Sequence, residues 1–273
     1  MKNYKALIGT LLLLANISWG QNRESVYNNV GWFVYLGDHK IKGKWGLHTE
    51  YQWRRTNFIT NWQQSLARIG INYDVNPQLM LTIGYGQIET FSYGELPISR
   101  LDNAGNAQSF PEHRIYQDAV FKNNLGNIEI GHRFRIEERW IGNFYNSNGE
   151  QIPDKWRYLT RFRYRIRLAY PLQGSTIDPS EFYLHGYDEL FIGAGINVGG
   201  NVFDQNRINV GLGFKASGSM KIEVGYFNQI VQKPRVHPFT KLPVFEYNHG
   251  FLIALLYNIN FEEAFKRKSE ESQ

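Results

Sequence analysis

Arg157-Tyr158-Leu159-Thr160-Arg161-Phe162-Arg163-Tyr164-Arg165-Ile166-Arg167-Leu168-Ala169-Tyr170-Pro171 is the stretch on which the reading of this chain turns. Side chains alternate across an extended strand, so Arg161, Arg163, Arg165 and Arg167 share one face, and Phe162, Tyr164, Ile166 and Leu168 share the other. An arginine facing hydrocarbon at the middle of a bilayer costs about 2–4 kcal/mol. A strand of this pattern therefore turns its arginines into an enclosed lumen and its aromatic and aliphatic face outward, toward lipid.

The same period of two runs through the chain. In residues 45–55 the outward set is Trp45, Leu47, Tyr51 and Trp53, and the inward set is His48, Glu50, Gln52 and Arg54. Residues 128–141 place Glu129, Arg133, Arg135, Glu137 and Arg139 inward. Residues 65–75 place Arg68, Asn72 and Asp74 inward against Ile69, Ile71 and Tyr73, and residues 207–215 place Arg207, Asn209 and Lys215 inward. Near the end, Phe251, Ile253, Leu255, Tyr257, Ile259 and Phe261 share one face. Glu138 and Asp188 fall on outward positions, which predicts strand ends or bulges there.

Eleven candidate strands emerge, at 30–37, 45–55, 65–75, 79–91, 113–122, 128–141, 157–171, 182–198, 207–215, 220–231 and 250–261. Many reach the roughly 9–11 residues that a tilted transmembrane strand needs. Connections at 75–78, 123–127 and 216–219 are short; those at 92–112, 142–156 and 232–249 are long. Bacterial barrels put short turns in the periplasm and long loops outside, with both ends of the chain periplasmic. That requires an even count, so residues 21–29 are read as one more upward strand. The expected fold is an all-β, closed, antiparallel transmembrane barrel of about 12 strands, or ten if one strand is split in error, spanning residues 21–261. No linker divides it, and a charged tail occupies 262–273.

The first residues read as an export signal. Lys2 and Lys5 precede an apolar run from Ala6 to Ile17, and Ser18-Trp19-Gly20 supplies small residues where a signal peptidase cuts. The run falls short of the roughly 20 apolar residues that a membrane-spanning helix needs. Residues 1–20 are thus an expected signal peptide, with the mature chain starting at Gln21 and a Gram-negative outer membrane as its destination. The chain holds 273 residues and no cysteine, so disulfides and a thioether lipid anchor are not expected. Losing Lys2 and Lys5 from 30 basic residues leaves 28 against 25 acidic, a net charge of +3. So weak an imbalance, in an exported chain, gives no reason to expect a nucleic-acid partner; the expected contact is outer-membrane lipid. The mean hydropathy of −0.45 suits strands that average an apolar face with a polar one, and aromatics at 15% and 26 glycines fit the same class.

Motifs for chemistry are few. The histidines His39, His48, His113, His132, His185, His237 and His249 are scattered without the serine–histidine spacing of a wall-sited hydrolase. Gly193, Gly195, Gly199 and Gly200 lack the following helix of a phosphate loop, and Asp102-Asn103-Ala104-Gly105-Asn106 lacks the bidentate glutamate of a calcium loop. No catalytic, cofactor or metal residue is expected. The candidate site is a lumen-facing charged set: Glu50, Arg68, Arg114, Asp118, Arg133, Arg135, Glu137, Arg161, Arg163, Arg165, Glu189, Arg207 and Glu223. It reads as a solute-selecting pore lining or as an ion-pair network that fills a narrow barrel, and the near balance of sign favours the network.

Several segments carry a family resemblance by their order: Lys44 to Arg54, Glu112 to Gln117, Gly131 to Arg139, Arg161 to Arg165, Phe203 to Arg207 and Gly225 to Gln229. Together the set resembles DUF2490, a domain of unknown function, over essentially the whole mature chain. The resemblance implies an outer-membrane barrel without an assigned activity and supplies no catalytic residue. The functional expectation is a non-enzymatic narrow channel or a structural or binding barrel. Its rivals are a barrel-sited lipid hydrolase, acting on phospholipid or lipid A, and a soluble periplasmic barrel with arginines outside and aromatics inside.

Overall fold

The computed structural model describes residues 22–91, 93–94, 109–147, 150–237 and 239–264. The expected signal peptide, the loop tip Asp102 to Asn106 and most of the charged tail lie outside these residues. Eleven strands form one closed barrel: β1 (Glu24–Lys42), β2 (Trp45–Thr56), β3 (Asn61–Asn76), β4 (Leu79–Thr90), β5 (Phe110–Leu125), β6 (Ile128–Ser147), β7 (Glu150–Pro171), β8 (Glu181–Ala194), β9 (Phe203–Lys215), β10 (Met220–Gln232) and β11 (Val244–Tyr257). No described helix is long and apolar enough to cross a membrane, which says nothing about a barrel.

Sequential strands pair antiparallel around the ring, and β1 closes it against β11 in parallel, from Glu24 opposite Val244 to Leu36 opposite Leu256. The expectation of about 12 antiparallel strands is therefore corrected to 11 with one parallel seam. Residues 24–29 do not make an extra upward strand. They lengthen β1 to 19 residues, continuing its alternation through Val26 and Asn28 inside and Tyr27 outside, and they pair with the start of β11. An odd count puts the start of β1 and the end of β11 at opposite ends of the barrel. β1 starts at the end that carries the β4–β5 and β10–β11 loops, the loop end; β11 finishes at the end with the tight turns, the turn end. Beyond β11 the chain continues beside β1 in the same parallel register, bridging Asn260 to Lys40 and placing the Phe261 ring 6.0 Å from His39.

The expected outward sets lie outside. Ile69, Ile71, Ile83, Phe134, Phe162, Tyr164, Leu168, Leu184, Val210, Leu212 and Val224 are all exposed, while Arg68, Arg135, Arg161 and Arg163 are buried. That burial overturns the inverted barrel with arginines outside. Glu138 and Asp188 also face outward, but not at strand ends or bulges. Glu138 pairs regularly between Ile115 and Thr160, and Asp188 between Ile166 and Ile208. Asp188 is held by the Asn206 side-chain amide at 2.5 Å.

An eight-stranded barrel is just filled by its side chains, and one of 16–18 strands keeps a channel. Eleven strands lie between, so large inward side chains are needed to meet across the axis. Tyr116 lies flat over Gly70 and Gly84, and a Cβ at Gly84 would run into its ring. At the turn end, Ile177 of the β7–β8 connection tucks in against Ala169 and Tyr183.

Candidate functional site

The inward charges converge on Glu137, in the middle of β6 and fully buried. Arg161 donates to it through Nε at 2.9 Å and Nη2 at 2.5 Å. Arg163 donates at 2.6 Å and Arg68 at 3.4 Å. Arg114 and Arg135 each approach to 3.8 Å. A carboxylate with no water access is tolerable only when its lone pairs are filled by charged donors, and arginine supplies them in a fixed planar fork. The strand alternation makes this possible: Arg161 stands directly opposite Glu137 across the β6–β7 ladder, and Arg163 and Arg135 stand one step toward the turn end.

Other carboxylates tie the remaining arginines in. Glu50 takes Arg68 at 2.7 Å. Asp118 holds Arg135 through two bonds of 2.5 Å. Glu189 accepts from Arg133 at 2.5 Å and from Arg163 at 2.7 and 3.1 Å. Glu223 takes Arg167 at 2.5 Å and the Tyr183 hydroxyl at 2.7 Å. Of the 13 residues expected to line the lumen, all but Arg165 and Arg207 thus belong to one of these ion pairs. Arg207 donates to Gln205 at 3.0 Å and lies 4.5 Å from the Phe191 ring and 4.9 Å from Trp32. Arg165 lies over Tyr187 at 5.6 Å. Aromatic faces thus take up cations that carboxylates do not reach.

Three acidic members were not among the expected site residues: Glu112, held by Arg114 and Arg139; Asp204, held by Arg161 at 2.6 Å; and Glu246, paired with Lys233 and the Tyr93 hydroxyl. Each stands just before the residue where its strand was expected to begin, or a few before it, and so was read as loop. The alternation continues into Glu112 and Glu246 and is the signal that finds them; Asp204 has the parity opposite to the inward Gln205 and Arg207 and comes in where the β8–β9 register shifts, between Gln205 opposite Phe191 and Phe203 opposite Ile192.

Toward β1, β10 and β11 the lumen changes character. Val30, Trp32, Val34, Phe227, Leu252 and Ala254 form a buried apolar cluster inside the seam, with Leu36 and Leu256 packed against it. The Trp32 indole N–H donates to Gln63 at 2.7 Å, and Arg54 stacks on the ring at 3.8 Å, so Trp32 marks the border between the ionic and apolar sides.

Among the described residues no group of three or more His, Asp or Glu is placed to hold a metal ion. The described histidine nearest a hydroxyl other than tyrosine is His39, 2.8 Å from Thr49. Its Nδ1 already accepts from the Ile259 backbone N–H at 3.1 Å, so in the neutral ring Nε2 carries the proton and donates to Thr49. That is the reverse of what a base activating a nucleophile must do. His48 lies between Asp38, at 2.8 Å, and Glu50, at 3.4 Å, and meets no hydroxyl.

No solved structure matches this chain. An uncharacterised protein of Methylorubrum extorquens is 27% identical over 186 residues, covering 66% of this chain and 69% of its own length. The family described as protein of unknown function (DUF2490) matches residues 29–238, and the chain belongs to that family.

Proposed function

We propose that this protein is an outer-membrane β-barrel whose lumen is stoppered by its own ion pairs, and that it serves the envelope as a structural or binding barrel, not as an open pore or an enzyme. The observation that carries the membrane reading is the outer face. Soluble monomers rarely expose a contiguous apolar patch of more than a few hundred Å². Here large apolar side chains are exposed on every strand, including Ile71 at 53%, Phe134 at 50% and Val210 at 60%, while the arginines of the same strands are buried. Hydrocarbon is the solvent that makes such a surface favourable, and a closed ladder satisfies every backbone group within it.

The stoppered lumen rests on burial at mid-height. Glu137 at 0% and Arg135 at 1% leave no water-sized passage at their own positions. The non-enzymatic reading is supported by His39, whose hydrogen bonds point the wrong way for a base.

The test is fractionation followed by gel migration. The protein should pellet with outer membranes, resist carbonate and high-salt washes, and migrate faster before boiling than after, because a closed barrel without edges opens only with difficulty. Release by carbonate alone would contradict the placement. Phospholipid or lipid A deacylation by the purified protein would contradict the non-enzymatic reading.

A further inference from the structure

The two halves of the lumen differ in how open they are. In the loop-end half the inward side chains Glu112, Glu246, Asn248, Gln205 and Gln229 are buried and hydrogen-bonded. Toward the turn end the lining opens: side-chain exposure rises to 12% at Arg133, 23% at Arg167 and 43% at Asp38. In this half two arginines face each other without a full set of acceptors.

Arg133 and Arg165 stand directly opposite each other on β6 and β7. Like charges in that position repel. The carboxylate facing Arg165 across the β7–β8 ladder is Glu189; its Oε1 takes Arg133 and Arg163, and neither of its oxygens comes within ion-pair distance of Arg165. Asp118 is filled by Arg135, and Glu223 by Arg167 and Tyr183. Among the described residues no carboxylate comes within ion-pair distance of Arg165, and Arg133 keeps a buried Nε without an acceptor. The same row continues across β5 and β4 as Val120, opposite Arg133, and Met80, opposite Val120. All four side chains face the lumen and are partly buried. At about 4.8 Å between neighbouring strands, the row runs from an apolar pair to a cationic pair over about 14 Å.

We propose that this row is a binding site for an oxyanion, phosphate or carboxylate, carried on a short alkyl chain. The head sits on Arg165 and Arg133 and the chain lies along Val120 and Met80, reached from the turn end. The anion supplies the direct ion pair that Arg165 lacks, and a planar guanidinium binds such oxygens through two parallel bonds. The apolar half of the row favours an alkylated anion over a free one, each buried methylene being worth up to about fourfold in affinity. The proposal needs the closed barrel and not its placement in a bilayer.

The probes are butyl phosphate and inorganic phosphate, titrated calorimetrically into the protein folded in an uncharged maltoside detergent. The parent should bind butyl phosphate at least about tenfold more tightly than inorganic phosphate. Arg165→Gln should weaken butyl phosphate at least fivefold, with heat-modifiable migration unchanged, because no ion pair is broken. Val120→Gln should weaken butyl phosphate severalfold and leave inorganic phosphate unchanged; this arm stands even if Arg165→Gln does not fold. Equal affinity of the two probes in the parent would overturn the alkyl part of the site. Undiminished binding by a folded Arg165→Gln, or no binding by the parent, would overturn the site altogether.

Discussion

The inside of the β1–β11 seam and the inside of the β5–β8 wall are filled by opposite means. Across the wall, β6 and β7 alternate arginine or glutamate with aromatic or aliphatic residues, and the inward charges lock to one another around Glu137. At the seam, Val30, Trp32, Val34, Leu252 and Ala254 fill the lumen with hydrocarbon, while Phe33, Phe251 and Ile253 cover the outside. Strands that are apolar on both faces are the usual mark of parallel pairing, and the seam is the one parallel pair in the barrel. The two means should fail differently. A network of charges loses most when one central member goes, because its partners are left buried and unneutralised. An apolar cluster loses in proportion to the volume removed.

The largest effect is therefore expected at the hub. Glu137→Gln keeps the shape and removes the charge that Arg161, Arg163 and Arg68 share, and should cost about 3–5 kcal/mol. Denaturant titration of the folded protein measures it, and a second substitution, Arg161→Gln, should recover part of the loss, because it restores the balance of buried charge and leaves Asp204 to Arg139. A double variant that loses the full sum would mean that the network is not coupled. At the seam, Leu252→Ala should cost about 2–4 kcal/mol, and Val34→Ala made on top of it should increase the loss and recover none. Recovery there would erase the distinction between the two regions. A smaller effect is expected on the outer wall. Asp188 faces outward in the middle of β8, where the Asn206 side-chain amide donates to it. Asp188→Leu should stabilise the protein in a bilayer by about 1 kcal/mol, since an outward acid costs less than the 2–4 kcal/mol of a basic residue. In a barrel bathed by water the same change should fall within about 0.5 kcal/mol of zero.

How far the sequence revealed this follows the same division. The wall was legible, because a strict alternation of arginine with tyrosine and phenylalanine can fold in only one register when one side is enclosed. The faces of residues 157–171 and 128–141 were read from that alone. The seam was not legible. Phe251-Leu252-Ile253-Ala254-Leu255-Leu256 is apolar at every position, so period two is invisible and the inward residues cannot be told from the outward ones. Pairing partners are also not written in a single strand: nothing in residues 24–29 says that they will lie beside 244–249 in parallel, and an even strand count was the default. The missed members of the network fall into two kinds: Asp204 enters at a register shift that no alternation foretells, while Glu112 and Glu246 were lost at strand ends. Strand ends were drawn where turn residues and charges began, and in a lumen lined with charge a charged residue does not end a strand.

The central claim is that the arginine face of each wall strand encloses the lumen and the aromatic face meets lipid. Folding into phospholipid vesicles, read as the faster-migrating unboiled gel band and as a denaturant midpoint, tests it on adjacent residues of β7. Arg163→Gln/Arg165→Gln should still insert, with some loss of stability through Glu137 and Glu189. Tyr164→Arg should insert poorly or lose about 2–4 kcal/mol, because it places a guanidinium in hydrocarbon. If Tyr164→Arg folds into vesicles like the parent while the double glutamine variant fails to insert, the outer face does not meet lipid and the membrane reading is wrong.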